Sequence, residues 1–383
     1  MSTSHVSEIL KPYHPAPWMS DLHGIPSHIV ELSQKPTPIQ PWNLPRVPDG
    51  YQISIKRDDM TGSTLSGNKV RKLEFLLADA IHKECQHVIT IGGIQSNHCR
   101  AVAIAARQLG LTPHLFLRSE EKEEFYNGSE GNLLLDKMVG SNIYFIPKKS
   151  TYKKDCLPRM EQLAEHIQST RGEKSYIIPV GGSNELGIFG YIEVFREMIE
   201  QESLEKFDDI VCACGSGTTL SGMAVANYLT GSKLKIHGIT VCDSKKYFHD
   251  DNNEIFPLIG LKSVQSEDIV NIIDGFKGQG YGLSTEEELG TIDRTYRDLS
   301  VDFLTEVGSK TGIMLDPVYT GKAAFGLVQL LEQLPEMFKG RRILFIHTGG
   351  IFGLADGRMN VILKSKSENK IKIWNDINKP PFS

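Results

Sequence analysis

The chain has 383 residues, 40% of them hydrophobic and 23% charged, which is ordinary for a soluble globular protein and long enough for two domains around sizeable cores. Forty-two basic against forty-seven acidic side chains give a net charge of -5, so no broad positive surface for nucleic acid is expected. No apolar run approaches the roughly twenty residues of a membrane-spanning helix. The proline-containing amino terminus, with no arginine before Arg46, fits neither a signal nor a transit peptide, so a cytoplasmic protein is expected. Six cysteines without a CxxC pair argue against a zinc site or a redox dithiol, and no metal is expected.

The first fifty residues read as an extended arm with short pieces of structure. From Tyr51-Gln52-Ile53-Ser54-Ile55-Lys56-Arg57, which alternates like a strand, β-type and helix-type segments succeed one another. Val88 to Ile91 reads as a buried strand, followed by a helix from Ala101 to Leu109 that stops at Gly110. The spacing then predicts strands at His114–Leu117, Ile143–Ile146 and Tyr176–Val180, with helices at Gly131–Met138 and Glu161–Gln168 between them. A helix from about Gly190 to Glu202 leads into a second block, whose clearest strands are Ile210–Cys214, Lys235–Val241 and Arg342–His347. Cys212 and Cys214 alternate along the first of these and are expected to face the core together. This rhythm predicts an α/β protein with two open, mostly parallel sheets and a cleft between them.

Four segments stand where strands end and helices or turns begin, the edge at which α/β sheets bind ligands. In Ser66-Gly67-Asn68-Lys69, a lysine sits at the junction of a glycine turn and a helix. Held there and desolvated, its amine becomes a nucleophile toward carbonyls, although a lysine beside a glycine turn is more often a solvated surface residue. The nucleotide-triphosphate loop is excluded, because Asn68 stands where that motif places lysine. In Gly92-Gly93-Ile94-Gln95-Ser96-Asn97-His98, Ser96 and Asn97 open a helix, so Ser96 either caps it or helps to hold an anion such as a substrate carboxylate. His98 could hydrogen-bond in either case. The turn Gly215-Ser216-Gly217-Thr218-Thr219 can wrap backbone N–H groups around a phosphate, but Leu220 occupies the place of the third glycine of a dinucleotide fingerprint. Last come Asp316-Pro317-Val318-Tyr319-Thr320 and His347-Thr348-Gly349-Gly350. Tyr319, like Tyr281 in Gly280-Tyr281-Gly282, lies in a glycine-flanked turn, though tyrosines are more often packing residues.

Together SGNKVRKLE, GGIQSNH, CGSGTT, DPVYTGKA and HTGG resemble the pyridoxal-phosphate enzymes that include 1-aminocyclopropane-1-carboxylate deaminase and D-cysteine desulfhydrase, over about residues 14–353. The resemblance implies the tryptophan-synthase β-like architecture, fold type II, with helices on both faces of each sheet. Residues 1–63 and 190–383 would form a large cofactor-binding domain and 64–189 a small domain inserted into it. It also implies pyridoxal 5'-phosphate as cofactor, a small amino-acid substrate and a homodimer. Carried over by position, Lys69 would form the Schiff base. Ser96 and Asn97 would contact the substrate carboxylate or the cofactor's phenolic oxygen, and Gly215, Ser216, Gly217, Thr218 and Thr219 would hold the phosphate. Tyr281 and Tyr319 would face the substrate, and Asn68, Thr320 and Thr348 would border the cofactor.

Deaminases of this family typically carry Glu immediately after the tyrosine of the DPVY segment and Leu in the HxGG turn; here the two places hold Thr320 and Thr348. A carboxylate against the pyridine nitrogen keeps it protonated and strengthens the electron sink, which a neutral hydroxyl does not do. The threonines therefore favour a desulfhydrase acting on D-cysteine. The cyclopropane deaminase, a lyase on another β-substituted amino acid, and a cofactor-binding regulatory protein without catalysis remain as alternatives.

Overall fold

The computed structural model describes residues 8–119, 130–277, 294–357, 359 and 363. The arm contributes β1 (Lys11–Pro12) and β2 (His28–Ile29), paired antiparallel, and β3 (Ile39–Pro41), which pairs antiparallel with β4 (Gln52–Lys56). Helix α1 (Lys69–His82) follows. Then come β5 (His87–Gly93), α2 (Asn97–Gln108), β6 (Thr112–Ser119), α3 (Gly131–Met138), β7 (Asn142–Pro147), α4 (Leu157–Arg171) and β8 (Ser175–Ile177). The second block runs through α5 (Phe189–Glu200), β9 (Asp209–Cys214), α6 (Thr218–Leu229), β10 (Lys235–Thr240), α7 (Lys245–Ile255), β11 (Asn271–Ile273), α8 (Arg294–Thr311), α9 (Thr320–Gln333) and β12 (Arg342–Ile346).

Two sheets result. One has the order β7-β6-β5-β8 and is parallel throughout; the other has the order β11-β10-β9-β12-β4-β3 and is parallel except at the β3–β4 edge. Parallel strands need crossover connections, and the helices that supply them cover the faces.

Alternation along the strands divides the core. In the larger sheet Ile210, Cys212, Cys214, Leu344 and Ile346 pack with residues of α5 and α6, whereas Val211, Ala213, Ile343 and Phe345 pack with α8 and α9. In the smaller sheet Ile89 and Ile91 pack toward α4, and Val88 packs toward α1 and α2. The paired cysteines thus face the core on one side, as their spacing predicts.

The predicted strand Tyr176–Val180 is shorter in the structure. Pro179 cannot donate to the ladder, and Gly181 takes φ 68° in the 3-10 turn that follows. Strands β9 and β12 of one sheet and β5 of the other end toward the same crevice, and α1 begins there. No helix of the described residues is long and apolar enough to cross a membrane.

Candidate active site

The turn before α1 is held by its own geometry. Gly67 has φ 108°, and a Cβ there would lie 2.9 Å from the Thr348 carbonyl oxygen, so glycine is required both for the conformation and for the approach. The Asn68 N–H donates to the same oxygen at 3.1 Å. Lys69, the first residue of α1, is consequently directed inward and is 9% exposed. Its Nζ donates to Ser216 Oγ at 3.2 Å and to the Gly181 carbonyl at 3.4 Å. Burial lowers its pKa to about 8, so an appreciable share of the amine is free at neutral pH.

One turn along α1, Lys72 reaches the same place. Its Nζ donates to Thr218 Oγ1 at 2.6 Å, to the Gly181 carbonyl at 3.2 Å and to Ser216 Oγ at 3.4 Å. Burial, and then the charge of Lys69, hold its pKa well below the ordinary lysine range. Neither lysine forms an ion pair among the described residues.

Opposite them, β9 ends at Cys214 and the chain turns through Gly215, Ser216 and Gly217, the last with φ 84°, before α6 starts at Thr218. The N-terminal end of a helix favours an anion, and this one borders a crevice lined by Lys69, with Lys72 buried behind it. Asn68 Nδ2 donates to Thr219 Oγ1 at 2.9 Å, which joins the lysine turn to the glycine turn.

The crevice is lined by Asn68, Lys69, Asn97, Gly215, Ser216, Gly217, Thr219, Tyr319 and Thr348, with Ala213 and Gly349. Residues singled out in the sequence thus meet from both sheets. Tyr319 lies against the glycine turn, its ring 2.9 Å from where a Cβ of Gly215 would stand. Asn97 lines the crevice, and its buried Oδ1 has no hydrogen-bond partner among the described residues.

Three expected residues stand differently. Ser96 caps α2, its Oγ accepting the Cys99 N–H at 3.2 Å, and is not part of the lining. Thr218 meets Lys72 and lies 3.0 Å from Ser183 Oγ, behind the turn. Thr320 is fully buried away from the crevice, its Oγ1 donating to Asp316 Oδ1 at 2.7 Å. Tyr281 lies outside the described residues. His98 is buried with Nε2 2.9 Å from Thr90 Oγ1; burial and the charges of Lys69 and Lys72 hold its pKa far down, so it is neutral.

Sequence reasoning missed Lys72, whose signal was its spacing three residues after Lys69. It also missed Asp316, whose carboxylate accepts from the N–H groups of Val318, Tyr319 and Thr320 and so fixes the Tyr319 turn.

The donor set suits one kind of guest. A basic side chain, Lys72, beside a helix N-terminus and glycine N–H groups matches a phosphate dianion, the buried Lys69 amine with its lowered pKa matches an aldehyde, and Asn97 matches a polar ring substituent. The profile of the pyridoxal-phosphate dependent enzymes matches residues 30–349, and the chain belongs to that family. Within it, the chain is 47% identical over 352 residues to the mitochondrial bifunctional D-cysteine desulfhydrase/1-aminocyclopropane-1-carboxylate deaminase of Arabidopsis thaliana, covering 90% of this chain and 84% of that protein. It is 34% identical to a D-cysteine desulfhydrase of Klebsiella pneumoniae strain 342, over 84% of this chain and 93% of that one. The crystal structure of a homologue of 1-aminocyclopropane-1-carboxylate deaminase superposes with a TM-score of 0.74 at 34% identity, over 92% of this chain and 99% of that one. The protein is thus a pyridoxal-phosphate enzyme of the deaminase and desulfhydrase group, with the tryptophan-synthase β-like fold.

Proposed function

We propose that the protein is a carbon–sulfur lyase that converts D-cysteine to hydrogen sulfide, pyruvate and ammonia. The observation that carries this reading is the buried Lys69 amine, facing the Gly215 turn with its pKa lowered to about 8. Lys69 would hold the cofactor through its aldehyde, Lys72 and the turn Gly215 to Thr219 would hold its phosphate, and Asn97, Asn68 and Thr348 would border its ring. When bound, pyridoxal phosphate supplies an electron sink for negative charge at the substrate's Cα.

The residues of the chain do the rest. Once substrate has displaced it, the Lys69 amine is the base that takes the Cα proton, and its lowered pKa keeps it available near neutral pH. Asn97 and the α2 N-terminus orient the substrate carboxylate, and Tyr319 closes the opposite side. The enamine left when thiolate departs hydrolyses to pyruvate and ammonia.

Among the described residues the crevice lining contains no carboxylate, which supports elimination over opening of a cyclopropane. A second reading, that the protein also or instead deaminates 1-aminocyclopropane-1-carboxylate to 2-oxobutanoate, draws on the bifunctional relative from Arabidopsis thaliana. Purified holoenzyme offered D-cysteine, L-cysteine, D-serine and the cyclopropane amino acid should release sulfide fastest from D-cysteine. Absence of sulfide from D-cysteine overturns the reading, and no turnover of any compound would indicate a cofactor-binding protein without catalysis. Thr348→Leu, in the crevice lining, should shift preference toward the cyclopropane substrate; an unchanged ranking removes that position as a selector.

We also read residues 1–63 and 190–383 as the large domain and 64–189 as the small one, and the protein as a cytoplasmic homodimer. Sedimentation at working concentration tests the dimer.

A further inference from the structure

Arg100 follows Asn97 by three residues on α2, so the two side chains leave the helix on one face. It is 1% exposed, and among the described residues it makes no ion pair; Asp136, whose carboxylate oxygens are themselves unpartnered, acts on it only from a distance. Carbonyl groups solvate the guanidinium instead. Nη1 donates to the Thr64 carbonyl, Nη2 to the Ser66 carbonyl at 2.9 Å and Nε to Asn132 Oδ1 at 3.1 Å, while the Phe352 ring centroid lies 4.9 Å from its central carbon.

The carbonyls of Thr64 and Ser66 belong to the turn that delivers Lys69. The Thr348 carbonyl holds that turn from another side, through the Asn68 N–H, and Phe352 follows closely on Thr348. One planar fork therefore ties together the lysine turn, the helix that carries Asn97, the start of α3 and the segment after Thr348. A lysine ammonium, a point charge without the fork, could not reach both carbonyls and Asn132 in fixed directions.

We propose that Arg100 is a positioning residue, which sets the Lys69 amine and the Asn97 side chain against each other across the crevice by gripping the carbonyls of Thr64 and Ser66. The proposal rests on Lys69 being the amine that takes up the cofactor. Misplacing a reacting group by about 1 Å can cost on the order of 100-fold in rate, so the effect belongs in the chemistry at Lys69 and not only in stability.

The test uses cofactor-free full-length protein, Arg100→Lys and Phe352→Leu. Each is mixed with pyridoxal phosphate across a pH series and reduced with borohydride, and the labelled Lys69 peptide is counted by mass, with a thermal midpoint taken alongside. Wild-type labelling should rise with a midpoint near 8. Arg100→Lys should label Lys69 about 10- to 100-fold more slowly at neutral pH, with the midpoint moved up as the amine gains water. Phe352→Leu, a milder change at the same guanidinium, should move both readings less and in the same direction. If Arg100→Lys does not fold, Phe352→Leu decides. A folded variant with wild-type rate and midpoint and only a lower thermal midpoint overturns the positioning role. Wild-type protein labelled elsewhere than Lys69 overturns instead the reading beneath it.

Discussion

Two buried sets of basic side chains meet at helix α1, built on opposite rules. On one side Arg71, 1% exposed, donates to Asp58 Oδ1 at 2.8 Å and to Glu197 Oε2 at 2.9 Å, and Lys56 reaches Glu197 Oε1 at 2.6 Å. Tyr191 and Thr37 complete the carboxylates' hydrogen bonds. Burial alone would raise the Asp58 and Glu197 carboxyls, but the neighbouring cations override it and hold both below their ordinary values. On the other side Lys69 and Lys72 share acceptors that are all neutral, and burial pushes both lysines down. Paired charges fasten α1 to β4 and α5; lysines left without a counter-charge stand ready for a guest that brings one. Compensation, rather than burial, separates scaffold from site here.

That contrast can be broken by experiment. Glu197→Ala leaves Arg71 and Lys56 with one carboxylate between them, and should destabilise the fold by about 3–5 kcal/mol in denaturant titrations. An effect below about 1 kcal/mol would mean that the cluster is no fastening.

The unpaired side should show in the pH dependence of the cofactor-free protein. Lys69 has a folded pKa of about 8 against an ordinary 10.5, so between those values the unfolded chain holds a proton that the folded chain lacks. Stability attributable to Lys69 therefore rises with pH through that window, by about 3 kcal/mol at roughly 1.4 kcal/mol per pKa unit. Comparing wild type with Lys69→Met from pH 7.5 to 10.5 isolates the contribution: the variant should be the more stable at pH 7.5, with the gap closing as pH rises. A gap independent of pH contradicts the uncompensated lysine.

A smaller effect is expected at Lys72. Removing one charge-assisted contact to phosphate, worth about 1.5–3 kcal/mol, should weaken pyridoxal-phosphate binding by Lys72→Met about 10- to 100-fold in a fluorescence titration. Unchanged affinity would assign the phosphate to other groups.

The order of elements was readable because buried parallel strands are continuous apolar runs and the helices between them are periodic. The glycine turn after Cys214 and the lysine turn before α1 were readable because few residues other than glycine take their backbone angles. Lys72 was not, since Lys-Val-Arg-Lys-Leu-Glu at the start of a helix looks like a solvated face until α5 is packed on it. A Cβ at Gly190 would come within 2.7 Å of the Arg71 backbone, and that approach belongs to the tertiary fold alone. Thr320 was placed against the cofactor by the family resemblance, which puts a glutamate at that position in the deaminases. Successive residues at a helix start are turned about 100° apart, so Tyr319 faces the crevice while Thr320 turns to Asp316.

Of the two neighbouring lysines, Lys69 is the nucleophile. Borohydride reduction of the yellow holoenzyme at neutral pH, followed by peptide mass mapping, should place the reduced cofactor on Lys69 alone and leave Lys72 unmodified. A label on Lys72, or on any lysine outside the crevice, would contradict it.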